Sequence, residues 1–203
     1  MNKSLIGGGV VLALAIWYFA DSGPRVVDFP TGGRNIVAFG DSLVVGYGAS
    51  AGNDFVSILA SRLGRPILNA GKNGDTTATG LERLEEDLLS QEPRIVLLLL
   101  GGNDALRRHP VEQTFSRLGA MIDQINQKGA AVILIGVRGS LLGDSYESEF
   151  ESLAEAKRVN YVPDILSGIF GHPSLMADAI HPNDEGNRLM ADRLEPVLRQ
   201  LLE

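Results

Sequence analysis

A three-layer α/β/α sandwich around a central parallel sheet is the architecture the sequence predicts. Short apolar runs alternate with longer amphipathic ones from Asn35 onward. Strands alternating with helices imply a parallel sheet with helices on both faces. The run RIVLLLLGG (94–102) is almost continuously apolar, the pattern of a central strand covered on both sides. Length agrees, since 203 residues suffice for one α/β domain with a sizeable core and are too few for two.

The elements follow in order. NIVAFG (35–40) is β-branched, apolar and closed by glycine, so a strand. DFVSILASRLG (54–64) has apolar residues at 55, 56, 58, 59 and 63, the one-sided spacing of a helix that Gly64 ends. PILNAG (66–71) is a second short strand. TGLERLEEDLLSQ (79–91) opens on Thr79 with Glu82 three residues later, a capping-box arrangement, and closes before Pro93. After the central strand, VEQTFSRLGAMIDQINQKG (111–129) sets Phe115, Leu118, Ile122 and Ile125 on one stripe, and AAVILIGV (130–137) reads as a further buried strand. SYESEFESLAEAKRV (145–159) is helical, NYVPDIL (160–166) a last strand, and DEGNRLMADRLEPVLRQLLE (184–203) a closing helix bent near Pro196.

The amino terminus is a different material. Ser4 through Ala20 is uncharged, with Lys3 before it and Asp21 after it. Its apolar stretch would span roughly 24 Å as a helix, slightly short of a hydrocarbon core of about 30 Å. That length fits a signal-peptide core or a short anchor. No Ala-x-Ala cleavage site follows, since Tyr18 lies two positions before Ala20. An uncleaved signal anchor over 1–20 is therefore expected ahead of a cleaved signal peptide, with a linker over 21–34 and the folded domain over 35–203. Lys3 and the terminal amine keep that end in the cytoplasm. The body is then exported to the periplasmic side of a bacterial inner membrane, anchored there, or released into the periplasm if the segment is cleaved.

Composition removes several classes of function. Eighteen basic against 25 acidic residues give a net charge of −7, and no basic run offsets it, so no nucleic-acid partner is expected. The absence of cysteine excludes disulfides, thiolate metal sites, cysteine lipidation and a cysteine nucleophile. His109, His172 and His181 are the only histidines, and a histidine-built metal cage would need nearly all of them, so no structural zinc site is expected. Lys72 is followed by Asn73, so GK (71–72) is no phosphate loop, and GYGASAG (46–52) misses the dinucleotide spacing. No metal and no cofactor are expected, and a monomer is the expected state.

Ligands of a doubly wound sheet sit at the carboxyl ends of its strands. Those ends carry Gly40-Asp41-Ser42, the segment Asn69–Asp75, and Gly101-Gly102-Asn103-Asp104. Ser42 could cap the helix that follows it or serve as a nucleophile exposed in the crevice. His109 and His172 read as loop residues, whereas His181 lies three residues after Asp178 in DAIHPN. A carboxylate there could accept from one imidazole nitrogen while the other faces Ser42. Asn103 offers an amide donor beside two glycines, and NAGKNGDTT offers glycine N–H groups; either segment could equally be a plain turn. Arg107 and Arg108 follow closely enough to line the rim, or to be a solvated helix start. Asp41, Asp75 and Asp104 read as carboxylates that fix loops through backbone N–H groups.

The conjunction resembles the SGNH, or GDSL, hydrolases, whose four marks are here FGDSL, the glycine of NGDT, the asparagine of GGND, and DAIHPN, in the family's order. The likeness runs from about Asn35 to the carboxyl terminus. It is greatest to the bacterial exported branch of arylesterases, acyl thioesterases and lysophospholipases, through NAGKNGDTTATGLERL and LLLLGGNDALRR. The resemblance implies a flavodoxin-like sheet and a serine hydrolase acting on carboxylic esters, thioesters or lysolipids. It implies Ser42 as nucleophile, His181 as base and Asp178 as its orienter. Gly74, Asn103 and the backbone N–H of Ser42 would form the oxyanion hole, Gly74 rather than Gly71 because the family marks the glycine before Asp75. The segment 137–150 is where such enzymes vary around the acyl pocket. Two alternatives stand beside this reading: a carbohydrate O-acetyl esterase of the same fold, and a membrane-tethered binding module without turnover.

Overall fold

Among the described residues five strands, β1 (Asn35–Gly40), β2 (Ile67–Gly71), β3 (Pro93–Leu99), β4 (Ala131–Ile135) and β5 (Asn160–Val162), form one sheet in the order β2-β1-β3-β4-β5. Every neighbouring pair is parallel. The computed structural model describes residues 32–137 and 144–203.

Alternation along the strands divides the core in two. Ile36, Ala38, Ile95, Leu97, Leu99, Ile133 and Ile135 face one side, where α1 (Ser42–Val45), α2 (Phe55–Leu63) and α8 (Asp184–Gln200) cover them. Val37, Phe39, Val96, Leu98, Val132 and Leu134 face the other. That side is covered by α3 (Thr77–Glu82), α4 (Leu84–Asp87), α6 (Val111–Gln127) and α7 (Asp144–Lys157). The central strand is buried on both faces, as its unbroken apolar run requires. The one crossover running toward β2 uses the first face and the three running toward β5 use the second, as a uniform crossover hand demands.

Three boundaries differ from the sequence expectation. The helix expected over 79–91 starts earlier: Thr76 is the N-cap, its hydroxyl accepting from the Thr79 amide while the Thr79 hydroxyl accepts from the Thr76 amide. The same helix breaks at Arg83 (φ −100°, ψ 6°) into α3, α4 and a 3-10 turn at Leu89–Gln91. The last strand pairs only over Asn160–Val162, because Pro163 has no N–H and Asp164 takes a positive φ of 35°, which turns the chain off the sheet. The closing helix runs continuously through Pro196 to Gln200.

Arg34, the last residue assigned to the linker, already joins the body: its amide donates to the Glu92 carbonyl (3.0 Å) and its guanidinium meets the Glu92 carboxylate. The apolar run over 4–20 lies outside the described residues, as does 138–143 within the variable segment. Among the described residues no helix is long and apolar enough to cross a membrane.

The chain leaves β1 toward β2, while β3 lies on β1's other flank. This reversal opens a crevice beyond the carboxyl ends of β1 and β3. There α1 begins at Ser42, and α5 (Gly102–Leu106) carries Asn103.

Candidate active site

Ser42 is the first residue of α1, placed where β1 ends. Gly40 permits that exit: a β-carbon there would come within 2.2 Å of the Leu99 carbonyl oxygen on the neighbouring strand. The helix cap is Asp41 and not Ser42, since the Asp41 carboxylate accepts from the Leu43 amide at 2.9 Å. The Ser42 hydroxyl is thus left for another partner. It lies 2.9 Å from Nε2 of His181.

His181 comes from a tight surface loop. Met176 and Pro182 form an antiparallel bridge, and the Ala177 amide donates to the His181 carbonyl at 2.8 Å. Within this loop one oxygen of Asp178 accepts the Ile180 and His181 amides, both at 2.8 Å, and the other lies 2.8 Å from Nδ1 of His181. Those bonds, the Ile180 amide first and the imidazole next, hold the Asp178 carboxyl down at about 2. A carboxylate in this position fixes the imidazole's orientation and favours the tautomer whose Nε2 can accept the serine proton. Asn187, buried on α8, ties the loop to the core: its amide nitrogen donates to the Pro182 carbonyl and its oxygen accepts the Phe55 amide.

The segment after β2 forms a turn in which the Asp75 amide donates to the Lys72 carbonyl, with Gly74 third at a φ of +76°. From the far side of the crevice, Asn103 donates its side-chain amide to the Asp75 carbonyl at 2.9 Å and approaches an Asp41 oxygen at 3.4 Å. The Arg107 guanidinium donates to the Gly74 carbonyl at 2.9 Å, so Arg107 does line the rim; Arg108 is exposed at a positive φ of 57°.

Three carboxylates lie buried beneath this arrangement. Asp41 is pushed up to about 7, chiefly by burial and further by the charges of Asp75 and Asp104, against the lowering effect of the Leu43 N–H. Asp104 accepts from the amide and hydroxyl of Thr77, and His109 Nδ1 lies 3.3 Å away. Asp75 departs from the sequence expectation. Its carboxylate takes the Arg83 guanidinium at 2.5 Å and the Thr79 hydroxyl at 2.9 Å, not backbone amides. His109 is correspondingly half-buried, whereas His172 is an exposed loop residue.

The structure therefore brings Ser42, His181 and Asp178 into one hydrogen-bonded chain, with Gly74 and Asn103 on segments joined to each other beside it. Sequence reasoning missed Tyr47, whose ring centroid lies 4.5 Å from that of His181. Only its position in the turn after Ser42 could have signalled it. Tyr47, Ile180 and Leu106, three exposed large apolar side chains, lie on the segments that carry the site. Among the described residues no three His, Asp or Glu side chains are arranged to hold a metal ion.

Residues 38–189 match the model of the GDSL-like lipase/acylhydrolase family. The chain is 29% identical over 180 residues to Esterase TesA of Pseudomonas aeruginosa, covering 83% of this chain and 90% of that protein. It is 30% identical over 175 residues to Thioesterase 1/protease 1/lysophospholipase L1 of Escherichia coli, covering 82% and 84% respectively. The crystal structure of TesA superposes with a TM-score of 0.77 at 30% identity, over 83% of this chain and 99% of that one. The chain belongs to the GDSL-like lipase/acylhydrolase family and is an ester hydrolase.

Proposed function

We propose that the protein cleaves carboxylic esters or thioesters through an acyl-enzyme on Ser42, with His181 as general base and Asp178 as the group that orients it. The observation that carries this reading is the unbroken chain from Ser42 Oγ to His181 Nε2 at 2.9 Å and from His181 Nδ1 to Asp178 at 2.8 Å. Ser42 attacks the carbonyl as its proton passes to His181. The leaving alcohol or thiol departs with that proton, and water activated by His181 then frees the acid. The oxyanion is met by the backbone N–H of Ser42, the N–H of Gly74 and the side-chain amide of Asn103, whose Nδ2 donates to the Asp75 carbonyl at 2.9 Å and to Asp41 at 3.4 Å, the longer bond being the one the oxyanion replaces. As the first residue of α1, Ser42 has no partner for its amide within the helix, which supports that role.

The exposed apolar side chains of Tyr47, Ile180 and Leu106 favour aryl, acyl or lysolipid groups over sugar acetates. Relatives named as an esterase and as a thioesterase and lysophospholipase support the same substrate range. Residues 35–203 form the hydrolase domain, and the uncharged run over 4–20 serves as a signal anchor that holds a monomer on the periplasmic face of the membrane through the linker 21–34.

The test is a series of p-nitrophenyl esters from acetyl to dodecanoyl, given to the full chain and to Ser42→Ala. Hydrolysis lost in the variant is expected, with an optimum beyond acetyl. Equal rates from the two proteins would sink the assignment of Ser42, and activity on acetyl sugars alone would select the carbohydrate esterase. Recovery of the chain from the soluble fraction with 1–20 missing would overturn the anchor.

A further inference from the structure

Arg83 makes a set of bonds that the hydrolytic scheme does not use. Its side chain is only 10% exposed, and its guanidinium lies 4.0 Å over the ring of Phe39 on β1. Nε donates to Asp75 (2.5 Å), Nη1 to the Ala70 carbonyl (3.0 Å) and to Asp87 (3.1 Å), and Nη2 to the Gly40 carbonyl (3.0 Å). One planar fork thus joins the end of β1, the end of β2 and the turn that carries Gly74. Gly40 is two residues before Ser42. Asp75 follows Gly74 and supplies the carbonyl that holds Asn103. Each of the three groups assigned to the oxyanion is therefore one or two steps from an atom that Arg83 grips. The helix break falls at Arg83 itself.

We infer that Arg83 is a positioning residue for the oxyanion-binding groups: it fixes the Asp75 segment against the ends of β1 and β2, which sets the distance between Ser42 and the donors of Gly74 and Asn103. The inference rests on the oxyanion roles given above. Arg83 does not touch substrate; it acts through Asp75 and Gly40. A lysine would keep the charge beside Asp75 but could not reach the two strand-end carbonyls in the same plane, because an ammonium is a point donor and a guanidinium a rigid fork.

The experiment is a double-mutant cycle on the full chain with a p-nitrophenyl ester, using wild type, Arg83→Lys, Asn103→Ala and the pair. Active sites are counted by stoichiometric release of p-nitrophenol from a p-nitrophenyl phosphonate. A displaced oxyanion donor should lower kcat per titrated site by about 10- to 100-fold, with KM within about twofold of wild type. In the Asn103→Ala background the same change should cost less, because one of the two donors that Arg83 positions is gone. Equal losses in both backgrounds would make Arg83 merely structural and overturn the inference. So would a fall in titrated sites with kcat per site unchanged. Should Arg83→Lys fail to fold by circular dichroism, Asp75→Asn replaces it, removing the charge at the turn while the bonds to Gly40 and Ala70 remain. It is expected to give the same kcat-selective, non-additive loss, and additivity there overturns the inference. Failure of the underlying scheme reads differently: Asn103→Ala alone would leave kcat unchanged.

Discussion

The two halves of the site are held by opposite means. Ser42, Gly74 and Asn103 sit at strand ends above three buried carboxylates, whereas Asp178 and His181 sit on a surface loop held by bonds within itself and by Asn187. Two aspartates show what this does to charge. Asp41 is buried with one close amide donor and other carboxylates nearby, and its carboxyl rises to about 7. Asp178 is exposed but accepts two amides and an imidazole, and it falls to about 2. Burial raises the first and hydrogen-bond donors lower the second, so loss of water and supply of donors together decide which carboxylate stays charged. The group that must be anionic beside an imidazolium is the one supplied with donors.

Replacing each carboxylate by its amide should separate the halves. Asp178→Asn removes the orienting charge and is expected to lower kcat by about 10⁴-fold, with the denaturation midpoint hardly moved. A loss below tenfold, measured by steady-state kinetics, would break the comparison. Asp41→Asn should act on stability. With a folded value near 7 against an ordinary 3.8, the folded protein keeps a proton that the unfolded chain has released. Stability therefore falls as pH rises from about 4 to about 7, by on the order of 4 kcal/mol, and the penalty is complete above that window. The amide should flatten this slope in urea titrations at a series of pH values; an unchanged slope would contradict the origin assigned to it. Asn103→Ala should cost roughly 100- to 1000-fold in kcat, about 3 kcal/mol, and a rate within twofold of wild type would remove Asn103 from the oxyanion site. Smallest is Tyr47→Ala, which takes away the ring that joins the two halves at His181. Its expected effect is a two- to tenfold drop in kcat/KM for aryl esters, and none for any ester would show the ring to be idle.

Much of this was legible in the sequence because the informative residues lie where strands end. An apolar run closing on Gly40 locates Ser42, and another closing on two glycines locates Asn103. Asp178 and His181 are three apart, so their pairing needs only a tight loop. What stayed hidden depends on partners far along the chain. Arg83 reads as one more polar position on an amphipathic helix, and nothing local reveals that it turns inward to Gly40 and Asp75 and coincides with a helix break. Thr79 looked like a cap because Glu82 follows at capping-box spacing, yet Thr76 competes for the same role with Thr79 as its partner. Tyr47 meets His181 only after the closing loop docks. The short β5 was foretold by Pro163, a signal that the surrounding apolar residues concealed.

Covalent labelling of the full chain with an alkyl fluorophosphonate, followed by intact-mass measurement and peptide mapping, tests the central claim most directly. One phosphonyl group per chain is expected, carried by Ser42, with labelling lost in both Ser42→Ala and His181→Ala. A label on any other residue, or ester turnover by a protein whose Ser42 stays unlabelled under inactivating conditions, would contradict it.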